Sequence, residues 1–457
     1  MTALRPLPSG PLVAWYGDDF TGSAAVMEVL SFSGLPAVLF FDLPTDDQLA
    51  PFSNYRGIGI AGYSRSQTPQ WMDQTLPTIY DFLKQTMAPI RHYKVCSTLD
   101  SSPEIGSIGR AADLALADGE AAALVMAAPE IGRYQAFGNL FARAGDDIFR
   151  LDRHPTMSAH PVTPMNEGDV RLHLSSQTEL QIGLIDLLDL KAGIGSQKFA
   201  KEVELGKSII AFDVVDAQTL EAAGRVIWQN SEKSQFAIGS QGLEYALVSA
   251  WRHAGLIAAP PPLQPVTPAA QIAVVSGSCS PVTEQQINQA SRSGFTALPI
   301  DVSLSPFEKQ WGQECERVIK VASEVLAQGL SPIVYTARGP RDPSIPALRD
   351  AIARSGRQPG QVNKDIGIGL GNILDQLISK AGLSRVGIAG GDTSSFAAQQ
   401  LGLYAVTAKY LLSPGASVLV GHADNPSRDG LEISLKGGQM GEAGYFADLR
   451  DGRIQSV

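Results

Sequence analysis

Two adjacent carboxylates, Asp18 and Asp19, stand in the segment Tyr16-Gly17-Asp18-Asp19-Phe20-Thr21-Gly22-Ser23. A short apolar run precedes them and a stretch with helical spacing follows. A helix cap uses one carboxylate, so the second is spare. At a strand-to-helix turn it can take the proton of a hydroxyl that attacks a phosphoryl group. Downstream, Arg65 in Tyr63-Ser64-Arg65-Ser66 and Lys94 in Lys94-Val95-Cys96-Ser97-Thr98 are cations suited to a substrate carboxylate, the first as a fork and the second as a point charge. Ser97, Thr98, Ser101 and Ser102 place four hydroxyls within reach of a polyol.

Three further turns suit phosphate. Ser276-Gly277-Ser278-Cys279-Ser280 follows an apolar run and leads to Pro281, a residue favoured at the first position of a helix. Small residues let main-chain N–H groups approach an anion, and a helix N-terminus adds a favourable field. Gly390-Gly391-Asp392-Thr393 repeats this plan after Val386–Ala389. Lys436-Gly437-Gly438-Gln439-Met440-Gly441 adds a lysine that can neutralise a phosphate. Other templates fail. No P-loop is present, and Gly367-x-Gly369-x-Gly371 has the wrong spacing for a dinucleotide fingerprint, reading instead as a loosely packed helix start. The serines lack a nucleophile elbow, and His154 and His160 read as loop residues.

The elements that must position these residues alternate as strand and helix. Leu12–Tyr16, Ala37–Phe41, Gly57–Ala61, Ala122–Ala127, Ser208–Phe212 and Gln235–Ile238 read as buried strands, as do Gln271–Ser276, Thr296–Pro299, Pro332–Thr336 and Arg385–Ala389. Helices are expected to begin at Thr21 and near Pro281, Glu308, Asp365 and Ser394. Such alternation implies α/β architecture with mostly parallel sheets covered on both faces, whose ligands bind at the carboxyl ends of strands. Five prolines between Pro260 and Pro268 mark a stiff linker. Domains are thus expected at 1–258 and 271–457, joined by 259–270, with the active site in the cleft between them.

The chain has 457 residues, 44% hydrophobic and 18% charged, ample for two cores. A formal charge of −10 argues against nucleic-acid binding, which needs a basic surface. Three separated cysteines and six histidines show no zinc framework. No apolar run reaches membrane-spanning length, and the N-terminal segment does not read as a signal peptide. A cytoplasmic location is expected, with no membrane partner and with homo-oligomerisation left open.

In combination the sequence resembles the four-carbon acid sugar kinase family, which includes threonate, erythronate and 3-oxo-tetronate kinases. The resemblance rests on Gly17–Gly22, Ser64-Arg65, Lys94 with Ser97-Thr98, Gly132-Arg133, Gly277–Ser280, Gly390–Thr393 and Lys436–Gly438, in the family's order. It implies an N-terminal acid-sugar domain and a C-terminal domain that binds ATP through Ser276–Ser280, Gly390–Thr393, Lys436–Gly438 and Gly441, with Mg²⁺ bridging the phosphates. Asp18, Arg65, Lys94, Ser97 and Thr98 would hold the acid. Asp18 or Asp19 would be the base, with Asp392 as the rival, and no metal ligand is identified. The sequence departs from the family's Lys-x-Asp-Ser-Thr-x-Arg-Gly segment: Cys96 replaces the Asp and Asp100 the Arg. That exchange resembles the branch acting on apiose-derived acids such as 3-oxo-isoapionate. A non-catalytic sugar-acid sensor is the alternative from another class.

Overall fold

A computed structural model describes residues 4–160, 162–262, 265–413 and 416–453, without the side chains of 392–395. It divides into two compact units, Met1–Pro261 and Pro262–Val457.

In the first unit the strands are β1 (Val13–Gly17), β2 (Ala37–Phe40), β3 (Gly57–Ile60), β4 (Ile90–Lys94), β5 (Ala122–Val125), β6 (Arg133–Ala136), β7 (Asn139–Ala144), β8 (Asp147–Arg150), β9 (Ile182–Ile185), β10 (Ile209–Phe212) and β11 (Phe236–Gly239). A parallel sheet runs β2-β3-β1-β4-β11-β5-β10-β9. Every residue of β1, β2, β3, β4, β5, β10 and β11 is buried, as strands covered by helices on both faces require. Trp228 and Trp251 seal one such layer edge to face, with ring centroids 5.1 Å apart.

The second unit carries β12 (Ala273–Ser276), β13 (Phe295–Pro299), β14 (Ser331–Tyr335), β15 (Arg385–Ala389), β16 (Ala405–Ser413), β17 (Ala416–His422) and β18 (Glu432–Lys436). Their order is β13-β14-β12-β15-β18-β17-β16. The first five are parallel, and β17 and β16 continue the row antiparallel. A core of Ile272, Val274, Ile287, Phe295, Ile333, Val418, Phe446 and Leu449 lies on this sheet.

In each unit the chain leaves its first strand in one direction and later returns to its other side. β1 lies between β3 and β4, and β12 lies between β14 and β15. The order therefore reverses beside β1/β4 and beside β12/β15, where loops splay apart and leave room for a ligand.

Three expectations need correction. The helix placed near Asp365 runs Pro359–Ala381, with Pro359 in its first turn. Gly367, Gly369 and Gly371 are therefore in its interior and tightly packed: an added Cβ would come within 2.7 Å of Phe396, 2.6 Å of Trp311 and 2.6 Å of the Ala397 carbonyl, respectively. The helix expected from Ser394 begins at Gly391. The antiparallel pieces, β6-β7-β8 and β16-β17, were not foreseen. β8 is half exposed and short, so its apolar pattern is faint.

Candidate functional site

At the β1/β4 reversal, Gly17 pairs with Lys94 and the Asp18 N–H donates to the Lys94 carbonyl at 2.8 Å. Asp19 has extended backbone (φ −143°, ψ 161°) and caps the helix Phe20–Phe32. Its Oδ1 accepts from the Gly22 N–H at 3.0 Å, and its Oδ2 from the Thr21 hydroxyl at 2.6 Å and Arg65 Nη2 at 2.8 Å. Asp18 is placed otherwise. Its Oδ2 accepts a 3.3 Å bond from the Cys96 N–H, while its Oδ1 is buried with no hydrogen-bond partner among the described residues.

This difference separates their proton affinities. Burial raises Asp18 to about 7; Arg65 opposes the rise and the Asp19 charge adds to it. Burial would raise Asp19 too, but Arg65, Lys94, the Thr21 hydroxyl and the Gly22 N–H together pull it below the usual carboxylate range. One carboxylate is thus fixed as an anion and its neighbour is poised to exchange a proton near neutrality.

Lys94, fully buried at the end of β4, donates from Nζ to the Val95 carbonyl at 2.6 Å. It lies so close to the capped turn that a Cβ on Gly22 would sit 2.8 Å from its Nζ and closer still to Asp19 Oδ1, so an added methyl would push these side chains aside. Arg65 reaches Asp100 at 3.9 Å as well as Asp19. The Cys96 thiol contacts the Thr98 hydroxyl at 3.0 Å, and that hydroxyl donates to Asp100 Oδ1 at 2.8 Å. Burial pushes the Cys96 thiol up to about 11, so it stays protonated. Ser97 is half-buried beside them. Between Thr98 and Asp100, the buried Leu99 holds a left-handed conformation (φ 53°). A non-glycine residue there stores strain. The Ser101 hydroxyl pins it, bonding the Leu99 carbonyl at 3.0 Å and His173 Nε2 at 3.0 Å.

In the second unit the three glycine- and serine-rich turns meet at one sheet edge. Ser276 pairs with Ala389, and Ala389 with Lys436, so the turns leave the carboxyl ends of three adjacent parallel strands. The Gly277 N–H donates to the Ala389 carbonyl at 3.0 Å and the Gly390 N–H to the Lys436 carbonyl at 2.9 Å. Gly390 has φ 120°, a conformation side chains rarely adopt. Ser280 caps the helix Pro281–Ala290 by accepting from the Thr283 N–H, and donates to the Gly438 carbonyl. The Thr283 hydroxyl bonds Ser278 Oγ at 2.9 Å and the Gly438 carbonyl at 3.0 Å. Gly437 and Gly441 are half-buried and Cys279 is exposed. Asp392 and Thr393 belong to the helix Gly391–Gln399, but their side chains lie outside the described residues.

Lys436 is not a lysine of a loose surface turn. It is fully buried, and Nζ donates to the Gly437 carbonyl at 3.0 Å and the Thr283 hydroxyl at 3.3 Å. Among the described residues it has no carboxylate partner. Burial lowers it to about 7. A buried cation without an anion, beside a capped helix N-terminus, fits a phosphate group. Two cavities lie elsewhere: one of about 630 Å³ is lined by Lys320, Glu324 and Lys380, another of about 480 Å³ by Ser379, Arg428 and Leu431. They gather no comparable set of turns, and the strand-end geometry is the stronger guide. Groups of three or more metal-ligating side chains are absent among the described residues.

The arrangement has a counterpart in known proteins. Residues 13–247 match the model of a sugar-binding N-terminal domain and residues 273–446 that of a nucleotide-binding C-terminal domain. The chain belongs to the four-carbon acid sugar kinase family. It is 42% identical over 449 residues to a 3-oxo-isoapionate kinase of Paraburkholderia graminis, covering 98% of this chain and 96% of that one. It is 28% identical to a 3-oxo-tetronate kinase of Methylobacterium radiotolerans, covering 95% and 97%. A Salmonella typhimurium LT2 crystal structure shares the fold with a TM-score of 0.76 at 23% identity, over 95% and 98% of the two chains.

Proposed function

We propose that this ATP-dependent sugar-acid kinase phosphorylates a hydroxyl of 3-oxo-isoapionate, with Asp18 as the base. The observation that carries the reading is the Asp18 carboxylate: buried, one oxygen without a donor, and raised to about 7 at the β1/β4 reversal. The acceptor oxygen attacks the γ-phosphorus of ATP as its proton passes to Asp18. The bond from that phosphorus to the bridging oxygen breaks, and ADP leaves. Asp19 stays ionised and holds Arg65. The turns at Ser276–Ser280, Gly390–Thr393 and Lys436–Gly441 hold the ATP phosphates. Mg²⁺ bound to those phosphates would supply further charge neutralisation. The protein is read as cytoplasmic; no helix among the described residues is long and apolar enough to cross a membrane.

The choice of acid rests on the similarity to the 3-oxo-isoapionate kinase and on Cys96 and Asp100. Asp100 sets a carboxylate 3.9 Å from Arg65, where the family pattern has an arginine. Steady-state kinetics with ATP and a series of sugar acids tests this. kcat/KM for 3-oxo-isoapionate is expected to exceed that for threonate and erythronate. Equal or better use of the straight-chain acids would contradict it.

A further inference from the structure

The cations of the first unit's site are not equally available to a substrate. Arg65 is bound to Asp19 at 2.8 Å and faces Asp100 at 3.9 Å, so its charge is already shared by two carboxylates. Lys94 is turned onto the Val95 carbonyl and packed under Gly22. Arg133 differs from both. It opens β6, just past the turn Pro129–Ile131 that follows β5. β5 ends at the same sheet edge as β4, two strands away: Lys94 pairs with Gly239 and Gly239 with Val125. Among the described residues the Arg133 Nη1 donates only to the carbonyls of Ile131 and Gly132, each at 3.2 Å. Its Nε is buried without a partner, and among the described residues it makes no ion pair. Burial lowers its proton affinity and the Asp100 carboxylate opposes that fall, as expected of a cation at the sheet edge from which the loop 96–100 leaves β4.

We propose that Arg133, rather than Arg65, binds the carboxylate of the sugar acid, and that Asp100 confines Arg65 to a positioning role. This inference rests on the kinase reading given above. A guanidinium with free N–H groups and no counterion is the group that gains most from a carboxylate, which it can grip with two parallel bonds. Arg65 already spends its charge on Asp19, and a second carboxylate drawn to it would compete for the cation that compensates that buried anion. Binding at Arg133 leaves the Asp19–Arg65 pair intact, and with it the environment of Asp18. The selected feature of the substrate is therefore its carboxylate, read from the β5 side of the site.

The test compares 3-oxo-isoapionate with its neutral primary amide as acceptors, in wild type, Arg133→Ala, Arg133→Gln and Arg65→Ala. Arg133→Ala and Arg133→Gln are expected to raise KM for the acid by about 10–100-fold, the scale of a charge-assisted bidentate contact. KM for the amide and for ATP should change little, so the preference for the acid collapses. Arg65→Ala should depress kcat for both acceptors alike. If Arg133→Ala does not fold, as judged by circular dichroism, Arg133→Gln, which keeps the stem, gives the same reading. An acid preference that survives in Arg133→Gln, or that is lost only in Arg65→Ala, would overturn the assignment. A wild type that phosphorylates neither compound would instead overturn the choice of 3-oxo-isoapionate as the acid.

Discussion

Asp18 and Asp19 are neighbours in sequence with opposite surroundings: Asp19 holds donors from Thr21, Gly22 and Arg65, whereas Asp18 keeps one buried oxygen with none. A lone carboxylate in that position costs stability, and the cost must depend on pH. The folded state holds the Asp18 proton up to about 7, while the unfolded chain loses it near the ordinary aspartate value of 3.8. Protonation therefore favours folding, and stability drains away as pH rises from about 4 to about 7.

Asp18→Asn should remove that loss. The variant is expected to unfold at a higher temperature than wild type above pH 7, by on the order of 2 kcal/mol. The advantage should shrink to nothing near pH 4. Asp19→Asn should do the reverse, costing about 1–3 kcal/mol at neutral pH through the lost cap and the stranded Arg65. Thermal denaturation of both variants across this pH range checks the contrast. A destabilised Asp18→Asn at pH 8 would show that Asp18 serves the fold.

Lys436 carries a second pH signature. With its amine lowered to about 7 by burial, it is largely neutral at pH 8, and a phosphate beside it restores the charge. ADP or ATP binding at pH 8 should therefore take up a proton, as measured by calorimetry in buffers of different ionisation enthalpy. Uptake should approach one proton per nucleotide and vanish in Lys436→Met, with nucleotide affinity falling by about 1.5–3 kcal/mol. Unchanged uptake in the variant would place the phosphates elsewhere.

The interior glycines of Pro359–Ala381 give a purely structural test. An added Cβ on Gly371 would meet the Ala397 main chain at 2.6 Å, and a backbone atom cannot swing aside. Gly371→Ala should cost about 1–3 kcal/mol in the second unit, read by denaturant titration. Gly360→Ala on the same helix, where nothing lies within 4 Å, should not destabilise it. Equal effects would mean that the close packing around Gly371 does not set the cost.

These glycines also mark where sequence reading ran out. The buried strands were legible because runs such as Val13–Gly17 and Val386–Ala389 are apolar throughout, and the strand-end turns were legible because Asp, Lys, Ser and Gly stand where those runs stop. Gly367, Gly369 and Gly371 misled because glycine reads as weak helix, whereas the cause is the Trp311 ring and the Ala397 main chain, both distant in sequence. Arg133 drew no role because nothing nearby in sequence tells that β5 ends two strands from Lys94. Nor did the Asp18-Asp19 pair reveal which carboxylate was spare; the side-chain directions come from the Gly22 N–H and from Arg65.

The most direct test of the account is turnover by Asp18→Asn. Wild type incubated with ATP, Mg²⁺ and 3-oxo-isoapionate should form one phosphorylated acid per ADP, counted by mass spectrometry. Its kcat/KM should climb with pH to a plateau above about 7, as Asp18 loses its proton. Asp18→Asn should bind both substrates normally, lose that acid limb and turn over about 10²–10⁴-fold more slowly, the scale of a removed general base. An Asp18→Asn enzyme that keeps both a near-normal kcat and the acid limb would contradict the account and move the base to another residue.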